Sequence, residues 1–178
     1  MIRPIEYVAS VADLIVNGEI VAAANGVYLF KVDETLKGKS AAVIRVQQFN
    51  EWTCDIRYAK AAKGQRLILF LKKVNDQLEI VNGSTGEIPL INDSVTLTYE
   101  SYSPTNYTRP YQLNAKEFSE GIKGFINLFA LTGNNKEPGS VCFRQNGSDG
   151  ELQKFIAGNS FSKWMYEKVQ RNYTIVKS

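Results

Sequence analysis

The feature that most constrains this chain is a two-residue turn, Asn25-Gly26, set between two runs of alternating side chains. Upstream, from Asp13, the side chains of Leu14, Val16, Ile20 and Ala22 share one face and those of Ile15 and Val21 the other, with Gly18 between them. Downstream, over Val27 to Glu34, Tyr28, Phe30 and Val32 alternate with Leu29, Lys31 and Asp33. A period of two is that of a strand, and Asn-Gly tolerates the positive φ angles of a tight hairpin turn. The mid-strand Gly18 predicts a bulge or sharp coil, the device that turns a barrel corner.

Further strands follow at short intervals. Leu36-Lys37-Gly38-Lys39 reads as a turn with Gly38 at positive φ, and Ala42, Ile44 and Val46 then alternate with Val43, Arg45 and Gln47. Arg66 to Lys72 encloses the uninterrupted apolar run Leu67 to Leu71, which predicts a strand covered on both faces. Asn75-Asp76 leads into Leu78 to Val81, Asn82-Gly83-Ser84-Thr85-Gly86 turns the chain again, and Glu87 to Ile91 and Ser94 to Ser101 give two more short strands. Closely spaced strands with glycine turns favour a barrel over a βαβ fold.

Helical periodicity appears at both ends. Ile5, Val8 and Val11, within Pro4 to Ala12, suit a short helix that plugs one end of the barrel. After about residue 112, Asn114-Ala115-Lys116-Glu117 reads as a capping box, and Phe118, Ile122, Phe125, Ile126 and Phe129 line a helical face down to Leu131, ended by Gly133 and Asn134. Three phenylalanines on one face require burial, and the strand Leu67 to Leu71 is the expected receiving surface. Pro138 to Gly150 reads as a loop, Asn159-Ser160 opens a second helix with Phe161, Trp164, Met165, Lys168 and Val169 at core spacing, and Tyr173 to Val176 suits an edge strand. The expected fold is mainly β (α+β): a closed β-barrel core over 10–101 and a helical extension over 112–178 packed on it, as one domain.

Composition narrows the function. The 178 residues, 44% hydrophobic, suffice for a packed core. The net charge of +3 is too small for a dedicated polyanion binder, and the one local excess, Lys60, Lys63, Arg66, Lys72 and Lys73, reads as solvated strand ends. There is no histidine, which removes Ser-His-Asp and Cys-His catalysis and the two-histidine zinc motifs. Two cysteines, Cys54 and Cys142, leave a bridge or two free thiols open, and no cofactor or metal is expected. No apolar run is long enough to span a bilayer. The start Met1-Ile2-Arg3-Pro4-Ile5-Glu6 lacks the segments of a signal peptide, so the chain as written is expected in the cytoplasm, or exported if a leader has been removed. On that expectation the Asn-x-Ser/Thr sequons at Asn82, Asn92, Asn106, Asn146 and Asn172 read as turn composition.

Four stretches carry a resemblance: Asp13-Leu14-Ile15-Val16-Asn17-Gly18-Glu19-Ile20-Val21, Phe30-Lys31-Val32-Asp33-Glu34-Thr35-Leu36-Lys37-Gly38, Gly64-Gln65-Arg66-Leu67-Ile68-Leu69-Phe70-Leu71 and Gly83-Ser84-Thr85-Gly86-Glu87. Over about residues 10 to 90 the chain resembles the bacterial branch of the netrin-like domains, which share the OB-type barrel of the tissue inhibitors of metalloproteinases. The resemblance implies an OB-like barrel. It does not bring zinc chelation by an N-terminal cysteine, because no cysteine precedes Cys54. Bacterial relatives of this kind are often exported.

Two stretches hold more aromatic residues than turns require: Phe49 to Tyr58, and Tyr99 to Tyr111. The candidate binding residues are Trp52, Arg57, Tyr58, Tyr102, Tyr107, Arg109 and Tyr111, since Tyr, Trp and Arg on loops are the usual energetic centres of interfaces. The leading reading is a non-catalytic protein-binding module, an inhibitor or accessory interaction domain whose partner is another protein. The alternatives are a single-stranded nucleic-acid-binding OB domain, and an enzyme using carboxylates such as Glu51 and Asp55 or a thiolate at Cys54.

Overall fold

The computed structural model describes residues 3–53, 55–97, 111–133 and 141–177, with Tyr111 by its backbone alone. It divides into two compact units, Met1–Ala115 and Lys116–Ser178. The first unit opens with α1 (Ile5–Val11), capped by Pro4, and continues through β1 (Leu14–Ala24), β2 (Val27–Lys37), β3 (Val43–Gln47), β4 (Arg66–Val74) and β5 (Gln77–Ile80). β6 (Glu87–Ile91), β7 (Ser94–Leu97) and β8 (Tyr111–Asn114) follow a single 3-10 turn at Gly83–Thr85.

The first five strands close on themselves. β1 pairs with β2, β2 with β3, β3 runs parallel to β5, β5 pairs with β4, and β4 returns to β1. β4 holds the ring together because one edge serves β1 from Arg66 to Leu71, while the other passes from β6 at Leu67–Leu69 to β5 at Leu71–Val74. Thus β6, β7 and β8 leave the barrel as a sheet extension. The mainly β, α+β class and the closed barrel expected from the sequence are both present.

The interior is filled by strand residues. Leu14, Val16, Ile20, Tyr28, Phe30, Ile44, Val46, Leu67, Leu69 and Leu71 form one buried cluster, the alternate positions read from the sequence. Ile68 and Phe70 point the other way along β4 and are fully buried too, so this strand is covered on both faces as expected. α1 lies against β4, with Ile5, Val8 and Ala9 buried and outside the interior cluster. Its last carbonyls, of Ala9 and Ser10, accept from Lys37 Nζ at 3.1 and 2.9 Å, which satisfies groups a helix end leaves open.

The turns follow their residues. Asn25 and Gly26 sit at φ 51° and 74°, as the hairpin requires, and Gly38 at 79°. Asn75-Asp76 and Asn92-Asp93 make equivalent left-handed turns without glycine, which Asn and Asp tolerate. Register shifts flank Gly18, and a Cβ there would run into the Lys31 carbonyl on β2. The bulge exists because only glycine lets the two backbones approach this closely.

The second unit begins in the first turn of α2 (Ala115–Leu128) and holds β9 (Phe129–Thr132), β10 (Cys142–Gln145), α3 (Asp149–Gly158), α4 (Ser160–Asn172) and β11 (Thr174–Lys177). Its three strands form a sheet in the order β11-β10-β9, with β11 on the edge, parallel to β10, as the tail's composition implied. Three expectations need correction. The helix thought to reach Leu131 stops at Leu128, because Phe129 to Thr132 pair with β10. The stretch read as a loop, 138–150, contains β10 and the start of α3, while 134–140 fall outside the described residues. The C-terminal helices among the described residues are three, not two. α3 starts at a full capping box: the Ser148 hydroxyl accepts from Glu151 N–H, and the Glu151 carboxylate accepts from Ser148 N–H at 2.8 Å.

Within this unit the phenylalanine stripe of α2 is buried. Phe118 lies 4.9 Å from Phe161 between ring centroids, and Phe125 lies 5.3 and 5.6 Å from Phe129 and Phe143. Gly121 and Gly124 make room for the rings of Phe161 and Phe155, since a Cβ at either would be 2.5 or 2.6 Å from a ring carbon.

Two substitutions test this packing by denaturant melting. Gly18→Ala should destabilise the barrel unit by at least about 1–3 kcal/mol, the range of an overpacked core, because the clash is with backbone that cannot turn aside. Phe125→Ala should cost the C-terminal unit about 3–5 kcal/mol. Either variant melting like the parent would contradict the packing described.

Candidate functional site

Between β3 and β4 the chain forms a loop whose charged and apolar side chains part company. Trp52 and Asp55 exchange backbone hydrogen bonds, both 3.1 Å, and so close a tight turn. Cys54 lies outside the described residues. The Glu51 carboxylate accepts from Arg57 N–H at 2.8 Å. The Asp55 carboxylate accepts from Ser84 N–H at 3.0 Å and lies where a side chain on Gly83 would otherwise be. The loop is thereby tied to itself and to the turn before β6.

The deepest tie is Arg57. Its residue is only 9% exposed, Nε donates to Glu87 Oε1 at 2.6 Å, and Nη2 stands 2.5 Å from the same oxygen. The Tyr28 hydroxyl donates to Glu87 Oε2 at 3.0 Å, and the guanidinium lies 5.9 Å from the centre of the Tyr28 ring. Glu87 is buried at the first position of β6. Burial pushes its carboxyl above the ordinary 4.5, opposed by the charge and hydrogen bond of Arg57 and by the Tyr28 hydroxyl. Burial, with the Glu87 charge beside it, pushes the Tyr28 phenol far above its usual range.

With Arg57 turned inward, its neighbours turn outward. Trp52, Ile56 and Tyr58 are 70%, 64% and 66% exposed, the three most exposed of the large apolar side chains among the described residues. Open clefts flank the loop. One, of about 550 Å³, runs between the Trp52 turn and β5, bounded by Phe49, Trp52, Glu79 and Asn82. The other, of about 680 Å³, lies toward the Asn25-Gly26 hairpin and is bounded by Phe49, Ile56 and Lys60.

These positions sort the residues expected from the sequence. Trp52 and Tyr58 are displayed together, whereas Arg57, expected on the binding surface, is buried and holds the loop. Tyr102, Tyr107 and Arg109 lie outside the described residues, and Tyr111 is placed by its backbone at the start of β8. The carboxylates of Glu51 and Asp55 both hold backbone N–H groups. Lys60, Lys63, Arg66, Lys72 and Lys73 are exposed, with Arg66 near Asp93 and Lys73 paired to Asp76. Cys142 is a free thiol, 2.9 Å from Thr132 Oγ1. Ile56, Glu87 and Tyr28 were not singled out in the sequence. The available signal was Glu87, a lone charge opening the apolar strand Ile88-Pro89-Leu90.

Arg57→Met should cost roughly 3–5 kcal/mol at neutral pH, because it leaves the Glu87 charge buried and unpaired. The sign of its pH dependence follows from Glu87. A carboxyl raised on folding contributes most below its unfolded value and loses that contribution as pH rises through the folded one. Removing Arg57 raises the folded value further, so the deficit of the variant should shrink on acidification toward pH 4.5 and widen above it. Melts of parent and variant across that window give the answer; a deficit independent of pH would contradict the buried pair.

No protein-family model matches this chain and no curated protein matches it, so its own geometry carries the functional reading.

Proposed function

We propose that this chain is a non-catalytic protein-binding module, an inhibitor or accessory interaction domain, whose contact surface is the loop bearing Trp52, Ile56 and Tyr58. The observation that carries the reading is the opposition of burial along that loop: large apolar side chains point to solvent from a backbone fastened by Glu51, Asp55 and Arg57. Apolar side chains clustered in water mark interaction surfaces, and Trp and Tyr are the residues that most often dominate binding energy. A loop already held in place loses little further freedom on association.

The barrel is taken here as OB-type, which the closure β1-β2-β3-β5-β4 with parallel β3 and β5 supports. Kinship with netrin-like domains rests on the four sequence stretches that carry the resemblance. The nucleic-acid alternative draws less support. An OB barrel binds strands across the outer face of its second and third strands with bases stacked on rings. Here the outward positions of β2 and β3 include Leu29, Lys31, Val43 and Arg45, with no ring among them. The carboxylate enzyme also draws less support, since Glu51 and Asp55 each accept a backbone N–H that ties the loop down.

The reading is tested by placing a photo-crosslinking amino acid at Ile56 and identifying the proteins captured from the source cells. Trp52→Ala and Tyr58→Ala should each weaken binding of the captured partner by about tenfold or more, the effect of losing over 1 kcal/mol at a central contact, with melting unchanged. Binding by both variants as tight as the parent's would refute this surface.

A further inference from the structure

We propose that the cleft between the Trp52 turn and β5 is a binding site for a neutral oligosaccharide, a ligand class independent of the protein-binding reading. The chemistry of its walls selects the ligand. Among its described lining residues there is no Lys or Arg, while Asp55 and Glu79 both contribute carboxylates. A phosphate, nucleotide or acidic sugar would meet only like charge there. What dominates instead is carboxamide. Gln47, Gln48, Asn50 and Asn82 all line the cleft, and each offers a carbonyl acceptor beside an amide donor.

Adjacent hydroxyls of a pyranose, each both donor and acceptor, match that pairing. Gln47 is already committed, since its Nε2 donates to the Gly26 carbonyl at 2.9 Å, and Asp55 is committed to Ser84. Glu79, Gln48 and Asn50 are then the side chains to which the reading assigns the ligand's hydroxyls. Asn82, also on the cleft wall, has an amide nitrogen that is buried without a hydrogen-bond partner, an arrangement that costs free energy until a partner is supplied.

An apolar surface completes the site. Trp52 and Phe49 border the cleft, and Trp52 is 70% exposed. The C–H face of a pyranose packs flat on an indole, burying apolar area without asking for charge. At about 550 Å³ the cleft lies within the usual roughly 300–1,000 Å³ of small-ligand sites, and its open side lets a chain of sugars continue past it.

The experiment is a titration of the full chain carrying Trp164→Phe, which leaves Trp52 as the only indole, with cellotetraose, chitotetraose, maltotetraose and a sialylated tetrasaccharide. A saturable fluorescence change with a neutral tetrasaccharide is expected, with the dissociation constant raised about tenfold or more by Asn50→Ala combined with Glu79→Ala. Ile56→Ala and Tyr58→Ala should bind sugar as the parent does, because neither residue lines this cleft, so failure of the protein-binding reading is scored separately. No saturable response to any neutral sugar at millimolar concentration, preference for the sialylated one, or binding unchanged in the Asn50/Glu79 variant overturns the proposal.

Discussion

Strand β4 is the constraint on which the first unit depends. Among the described residues, it is the one strand that closes the barrel against β1, continues it through β5 and launches the β6-β7-β8 extension. A strand with three neighbours has no free edge to offer another chain, which removes a hazard that short open sheets must otherwise manage. Its two faces are equally committed, one to the interior cluster and one away from it. Pleating places Leu67, Leu69 and Leu71 together on the inner side, so a register slip of one residue would exchange both faces at once.

The Arg57–Glu87 pair works differently, because its net contribution to stability is small and its contribution to geometry is large. Removing two charges from water costs several kcal/mol, and their attraction, with the Tyr28 hydrogen bond, offsets only part of that cost. Burial still leaves the Glu87 carboxyl above its ordinary value, so desolvation outweighs the favourable contacts. A hydrophobic pair of similar volume would serve a core as well. What it would not do is orient a loop, since a guanidinium converging on one carboxylate oxygen admits far fewer arrangements than packed methyl groups.

That orientation gives one loop two surfaces of unlike chemistry. Ile56 and Tyr58 flank the buried Arg57 and are exposed without lining the cleft beside β5, while Trp52 lines it together with carboxamides and Glu79. The alternation of residues 56, 57 and 58 produces this separation with no regular strand, because anchors at Asp55 and Arg57 fix the backbone on either side of Ile56. Rigid aromatic side chains on a fixed backbone suit binding, and the absence of histidine from the sequence removes the commonest proton-transfer group from any competing chemistry.

The sequence by itself determined the hairpin at Asn25-Gly26, the bulge at Gly18, the doubly buried β4, the α4 core spacing and the edge strand at the tail, because each is written in a local period or a residue with special φ. It also marked Trp52 and Tyr58, since aromatic residues in a polar loop are visible without coordinates. It misplaced the end of α2 and missed β9, β10 and α3, where a strand of four residues has too few alternations to outweigh a neighbouring helical stripe. Only the tertiary structure decided that Arg57 points inward and Ile56 outward. Its partner Glu87 lies thirty residues along the chain, and a side chain's direction in an irregular loop is set by the partner that desolvates it. The cleft likewise exists only in three dimensions, because its amides come from β3, the loop after it and the turn after β5, which the barrel's closure brings together.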